Sequence, residues 1–266
     1  MKKRVAFCVV FPAVWGLLLS FADTAQALDT VYNHTDERGL KQGYWQKRYP
    51  NGRIAYRTFF VDDKPQGLLV RYHENGKTMA LIDYFDDGIT SSAQFFSSNG
   101  ELVGEGRYLN ERKKHGLWKY YRNGKLAMDE RYDNGLLEGT SSWYYPSGQV
   151  FEQKQFKKGQ QEGIHMQQDE QGHLVFEQMF AGGLRNGLVR YYYPTNRIRI
   201  EGRYTDNVRT GEWTFYSSGG AVERKTTYVQ GVPADKDSID KINSDLLKSM
   251  EANKGLFVEP AEMLEE

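Results

Sequence analysis

An aromatic ring recurs every 24 residues along most of this chain, and a fixed period of that length constrains the fold more than any local signal does. Phe60, Tyr84, Tyr108, Tyr132, Phe156, Phe180, Tyr204 and Tyr228 form the column without a gap. With 18 Tyr and 14 Phe in 266 residues, eight consecutive hits at one phase would arise by chance with a probability on the order of 10⁻⁸ to 10⁻⁷. A 24-residue unit is too short to enclose a core of its own. The chain must therefore gain stability by stacking each unit on its neighbours.

A second column carries the turn chemistry: Gly52, Gly76, Gly100, Gly124, Gly148, Gly172, Asn196 and Gly220. Glycine and asparagine tolerate positive φ best, so this column predicts a left-handed backbone position at a hairpin tip. Pro50-Asn51-Gly52, Glu74-Asn75-Gly76, Arg122-Asn123-Gly124 and Pro146-Ser147-Gly148 agree with that reading. Two residues after each tip stands a mostly aliphatic column: Ile54, Thr78, Leu102, Leu126, Val150, Leu174, Ile198 and Val222. It shares parity with the aromatic column, which predicts that both face one side of the sheet. Asp63, Asp87, Glu111, Gly135, Gly159, Gly183, Asn207 and Gly231 mark the link to the next unit. Each unit reads as strand, tight turn, strand, connecting turn.

Units open with Gly43, Gly67, Gly139, Gly163, Gly187 and Gly211, whereas the third has Ser91 and the fourth has Gly116, displaced by one. Most first strands are rich in Trp, Tyr and Phe. The sixth carries His165, Gln167, Gln168 and Asp169 instead, which predicts a weak point or a polar patch. The pattern is plainest from Gly116 to Tyr132, GLWKYYRNGKLAMDERY. This resembles the MORN repeat, and more closely its bacterial variant found in YwqK-type antitoxin proteins. The resemblance covers about residues 43 to 231, through the opening Gly-x-Trp, the paired aromatics, the Asn-Gly tip and the closing Tyr. It implies two-stranded hairpins laid side by side, and a role in scaffolding, membrane-lipid association or toxin neutralisation. Ser91, Gly116, Asn196 and the polar sixth unit depart from the pattern and argue against a uniform binding surface.

The expected fold is all-β: an elongated single sheet of eight 24-residue hairpins over residues 43–231, presenting grooves rather than a deep pocket. Residues 1–27 read as a signal peptide, with Lys2, Lys3 and Arg4 before an apolar run and Ala25-Gln26-Ala27 as the cleavage site. Cleavage after Ala27 predicts a periplasmic or secreted protein that does not span the membrane. Residues 28–42 form a lead-in in which Val31 and Tyr32 are candidates for a covering strand. Residues 232–266 are expected to form a capping helix over Asp237 to Met250 and an acidic tail.

Cys8, the single cysteine, lies in the leader, so the exported chain has no disulfide and no thiol nucleophile. Removing residues 1–27 leaves 32 basic against 34 acidic residues, a net charge of −2. That balance supplies no general field for nucleic acid, which is not an expected partner. Gly76-Lys77-Thr78 lacks the upstream glycine of a phosphate loop, and Gly104-x-Gly106 lacks the third glycine of a dinucleotide site. His34, His73, His115, His165 and His173 fall at different places in different units. His165 and His173 flank a tip beside Asp169 and Glu170, where a solvated polar turn is a simpler reading than a metal site. Glu105, Glu130, Glu152, Glu177 and Glu201 read as exposed cross-strand partners for Lys and Arg rather than as glycosidase acids. The sequence therefore offers no catalytic, cofactor-binding or metal-binding residues, and no cofactor. The expected function is that of a non-enzymatic exported module binding another protein, such as an envelope protein or a toxin, with recognition of lipid headgroups or glycan as the alternative.

Overall fold

A computed structural model describes residues 31–85, 88–110 and 112–234 of the chain. All of the described strands belong to one 19-stranded sheet. It starts with β1 (His34–Thr35), and the first three hairpins are β2 (Lys41–Arg48) with β3 (Ile54–Val61), β4 (Lys64–Tyr72) with β5 (Thr78–Tyr84), and β6 (Thr90–Phe96) with β7 (Leu102–Leu109). The fourth is β8 (Lys113–Arg122) with β9 (Lys125–Asp133). After the short β10 (Leu136–Leu137) comes the fifth, β11 (Gly139–Tyr144) with β12 (Val150–Lys157). The last three are β13 (Gln160–Gln168) with β14 (Leu174–Ala181), β15 (Leu184–Tyr192) with β16 (Ile198–Thr205), and β17 (Val208–Tyr216) with β18 (Val222–Val229), and β19 (Val232–Pro233) follows. Neighbours pair antiparallel throughout. The described residues contain no helix. The expected signal peptide and the helix over 237–250 lie outside the described residues.

The tips confirm the turn column. Gly52, Gly76, Gly100, Gly124, Gly148, Gly172, Asn196 and Gly220 all have positive φ. Seven tips are three-residue loops closed as at Tyr49, whose N–H donates to the Arg53 carbonyl while the Gly52 N–H donates to the Tyr49 carbonyl. Unit four differs: Arg122 pairs directly with Lys125, and both central residues, Asn123 and Gly124, have positive φ, the mirror-image two-residue turn. One residue fewer in the loop explains why Gly116 stands one place late. The described connecting turns repeat that two-residue form, with paired positive φ at Asp62-Asp63, Asn134-Gly135, Lys158-Gly159, Gly182-Gly183, Asp206-Asn207 and Gln230-Gly231.

One expectation fails. The ring column and the aliphatic column do not share a face, because every hairpin contains a β-bulge between them. In the first, Lys47 pairs with Tyr56 but Arg48 pairs with Ile54, leaving Ala55 extra. The same shift recurs at Met79, Val103, Ala127, Phe151, Val175, Arg199 and Glu223. Cross-strand partners share a face and successive residues alternate, so the extra residue turns Ile54 and its equivalents to the side opposite Phe60. The packing agrees: neither buried cluster includes a member of the aliphatic column. On the reverse face those residues pair instead with Tyr72, Phe96, Tyr121, Tyr144, Tyr192 and Tyr216. The Tyr121, Tyr144 and Tyr192 hydroxyls reach back to Glu105, Asp129 and Glu177 of the preceding hairpin at 2.7–2.8 Å.

The opening glycines sit in a second bulge. Arg57 pairs with Val70 and Phe59 with Gln66, so Gly67, at φ 61°, lies in the extra stretch of the ladder. Where Ser91 replaces glycine, β5 and β6 pair without interruption. The edges also differ from expectation. The covering strand is His34–Thr35, pairing with Gln42 and Lys41, whereas Val31 and Tyr32 lie outside it. Both outermost described strands are two residues long, which limits edge-to-edge association.

The ring face holds two buried clusters. Ala93, Trp118, Tyr120 and Met128 form one; Val189, Ile200, Tyr204, Trp213, Phe215 and Tyr228 form the other. Trp118 and Trp213 are each only 2% exposed, because each indole lies flat on a glycine of the preceding hairpin. A Cβ on Gly106 would come within 2.3 Å of the Trp118 ring, and one on Gly202 within 2.2 Å of the Trp213 ring. Gly106 is thus the floor beneath an indole, which accounts for the Gly104-x-Gly106 run.

Candidate functional site: a cation-rimmed groove

In three units a cation lies over the opening indole. Lys41 covers Trp45 and Phe60 at 5.0–5.1 Å, Lys114 covers Trp118 and Tyr132 at 4.9–5.0 Å, and Arg209 covers Trp213 and Tyr228 at 4.6–5.3 Å. The signal was present in the sequence as Lys41-x-Gly43-x-Trp45, Lys114-x-Gly116-x-Trp118 and Arg209-x-Gly211-x-Trp213, but only the bulge at the glycine folds the cation back over its ring. Burial holds the Lys114 ammonium below its usual pKa, against the pull of Glu130. Lys114 donates to the Tyr120 hydroxyl at 2.6 Å. These cations serve the core.

Between the clusters stands the polar patch expected of the sixth unit. Glu152, 8% exposed, accepts from His165 Nε2 at 2.7 Å and Gln167 Nε2 at 2.8 Å and pairs with Lys154 Nζ at 2.8 Å. Burial raises its pKa, but the His165 hydrogen bond and the Lys154 charge outweigh that and hold it at about 2. His165 also packs edge-on against Phe176 at 4.8 Å. His173 bonds Asp169 instead, so the two histidines flanking the tip are committed to different partners. Among the described residues no three His, Cys, Asp or Glu side chains converge as a metal group.

The five glutamates do not form one exposed row. Glu130 and Glu152 are buried, because they stand two and four residues before Tyr132 and Phe156 and so share the ring face, whereas Glu105, Glu177 and Glu201 stand three before their rings and face the other way. Glu130 accepts from the Tyr132 hydroxyl. On the reverse face Arg190 bridges Glu201 at 2.6 Å and Glu177 at 3.2 Å, as the cross-strand reading expects, while Glu105 accepts from Tyr121.

The ring face opens over the first three hairpins. Leu69 and Ala93 stand where the fourth and eighth units carry Trp118 and Trp213, and two adjoining hollows of about 860 and 800 Å3 lie beside that gap. They share Leu69, Arg71 and Arg112. Tyr56, Phe60, Ile82, Tyr84, Phe95 and Tyr108 supply the apolar lining. Lys47 and Arg71 on the ring face and Arg112 in the connection before β8 line it, while Arg48, Lys64 and Lys113 border it from strand ends whose partners Ile54, Val61 and Leu109 face the reverse side. Among the described lining residues the one carboxylate is Asp63, which already accepts the Lys41 N–H at 2.8 Å. None of the six forms an ion pair among the described residues. The chain's overall balance of 35 basic and 35 acidic residues gives no sign of this cluster among the described residues.

Residues 114–134 and 137–158 match the family described as the MORN repeat variant, so the fourth and fifth hairpins are repeats of that kind. No curated protein matches the chain. A crystal structure of accessory secretory proteins 1, 2 and 3 in Streptococcus pneumoniae aligns at 15% identity over 46% of this chain and 20% of that chain, with a TM-score of 0.22. A crystal structure of the GtfA/B complex bound to UDP and GlcNAc aligns at 15% identity over 52% of this chain and 26% of that one, with a TM-score of 0.21. The chain spans a fifth to a quarter of those chains, and scores this low carry no inference about fold or function. What the sequence match and the sheet establish together is a protein of antiparallel hairpin repeats.

Proposed function

We propose that this chain is a non-enzymatic exported binding protein, periplasmic or secreted after cleavage behind Ala27, that holds a partner protein in the groove over its first three hairpins. The carrying observation is that Lys47, Arg71 and Arg112 line an apolar hollow and form no ion pair among the described residues. Desolvated or partnered charges elsewhere on the sheet are explained by packing, whereas these remain available to a ligand. The groove floor is sheet, its backbone groups consumed by the strand ladder, so side chains must do the recognising. Toxin neutralisation, the role tied to the YwqK-type resemblance, is a narrower form of this reading in which the partner is a toxin acting in the envelope. Recognition of lipid headgroups or glycan is the second reading, favoured by the exposed Tyr32–Tyr44–Phe59 ladder on the reverse face, with ring centroids 6.4 and 5.1 Å apart.

Photo-cross-linking from two positions tests the choice of surface. A photoreactive residue at Leu69 in the groove is expected to form a discrete protein adduct in envelope extract, while the same probe at Leu117 on the reverse face is not. Equal adducts from both faces, or none from Leu69, would remove the reading. Mass spectrometry of the exported protein is expected to give a chain starting at Leu28.

A further inference from the structure

We infer that the groove is built for an extended, acidic stretch of polypeptide in which carboxylates alternate with apolar side chains. This rests on the protein-binding reading above and goes on to name the chemistry of the bound segment.

The hollows run obliquely from the tip of the first hairpin, at Lys47 to Pro50, to the connection before the fourth, at Asn110 to Lys113. Lys47 and Arg71 hold the same place in successive hairpins and so stand about 10 Å apart, a separation from which long Lys and Arg side chains reach carboxylates two or four extended residues apart, ~7 or ~13 Å. Arg112 lines both hollows further along. Phe60, Leu69, Ile82 and Phe95 lie between the cations. Cations at the rim with apolar rings and branched chains in the floor call for a ligand carrying negative charge and hydrocarbon in alternation. A peptide supplies both in one strand, because alternate side chains of an extended backbone point to opposite sides. A glycan would meet hydrocarbon where its hydroxyls need partners. A flat anionic membrane would reach the rim and leave the floor empty.

The test uses the full exported chain and a fluorescein-labelled ten-residue peptide of alternating glutamate and leucine, read by anisotropy. Saturable binding is expected, weakening as salt rises because the rim cations are exposed. Lys47→Ala/Arg71→Ala/Arg112→Asn, with asparagine chosen to suit the positive φ of 80° at residue 112, is expected to weaken binding by roughly tenfold for three exposed contacts. Circular dichroism should show that variant folded. Lys225→Ala, which lies in the last hairpin and removes the partner of Glu212, is expected to leave binding unchanged. The same lysine–leucine peptide should not bind. Failure of the acidic peptide to bind, or equal binding by the triple variant, overturns the inference. So does the alternative outcome in which phosphatidylglycerol vesicles or polygalacturonate bind in a manner that the triple variant abolishes while the peptide does not. If the Leu69 cross-linker still traps a protein in that case, only the acidic chemistry is wrong; if it traps none, the protein-binding reading falls as well.

Discussion

The first three hairpins and the last two are made from the same 24-residue unit, yet they put the ring face to opposite uses. In the seventh and eighth, Trp213 fills the face, Gly202 makes room for it, and Arg209 covers it. Reverse-face cations there are likewise engaged, Arg190 with Glu177 and Glu201, Lys225 with Glu212. In the first three, Trp45 keeps its indole under Lys41, but the same position holds Leu69 in the second hairpin and Ala93 in the third, hollows open beside Leu69, and the surrounding cations have no ion pair among the described residues. The lesson is that exchanging an indole and the glycine beneath it converts a packing surface into a receiving one within the same sheet. Thr58, on the strand preceding Leu69, carries a side chain where Gly106 and Gly202 carry none, so the Leu69 site lacks both halves of the indole–glycine lock.

The largest expected effect separates the two ends directly. Trp213→Ala should destabilise the protein by about 4 kcal/mol, as removal of a fully buried indole does, while Leu69→Ala, half-buried at the groove, should cost about 1 kcal/mol. Urea denaturation midpoints compare the two, and equal losses would erase the distinction. Next comes the polar patch between the clusters. Glu152 titrates at about 2 in the folded chain against an ordinary 4.5, so its folded value is depressed. The stability it confers is present above pH 4.5 and lost as pH falls from 4.5 toward 2, up to ~3 kcal/mol for such a shift. Acid titration of stability should show that loss, and Glu152→Gln should flatten it. A slope unchanged by the substitution would mean that the patch is not a charged station.

The lock itself gives a smaller effect. Gly202→Ala should cost roughly 2 kcal/mol through overpacking against Trp213. In the groove, Leu69→Trp should be destabilising by a similar amount against Thr58, and Thr58→Gly should recover most of it in the double variant. Failure of that rescue would show that the groove is not simply an unfilled lock. Smallest are the tips: Gly52→Ala, at φ 82°, should cost about 1 kcal/mol, and the equivalent Gly220→Ala about the same, since both ends share the turn geometry.

Much of the fold was legible because its strictest requirements are local. A positive φ at a tip admits little besides glycine and asparagine, so the column from Gly52 to Gly220 stood out, and Asn196 proved its meaning by adopting φ 60°. The displacement of Gly116 was visible, and the shorter tip at Asn123-Gly124 explains it. The bulges were not legible. Ala55, Met79, Val103 and Phe151 share no residue type, because an extra residue in a ladder is defined by what stands opposite it. Counting parity through them placed Ile54 beside Phe60. The glutamates mislead for a different reason, since Glu130 and Glu152 stand two and four residues before their rings and Glu105, Glu177 and Glu201 three, so they are not one column. The groove escaped for a related reason. Lys47, Arg71 and Arg112 come from separate units and from no common motif, and they converge only when strands stack, while net charge averages them away.

Site-resolved hydrogen exchange on the full chain tests the central claim, that the ring face is packed at one end and open at the other. The account expects amides of β16 to β18 to exchange at least an order of magnitude more slowly than those of β3 to β5, with occupation of the groove by an acidic peptide raising protection in β3 to β5 alone. Uniform protection along the sheet, or peptide-induced protection centred on the last hairpins, would contradict it.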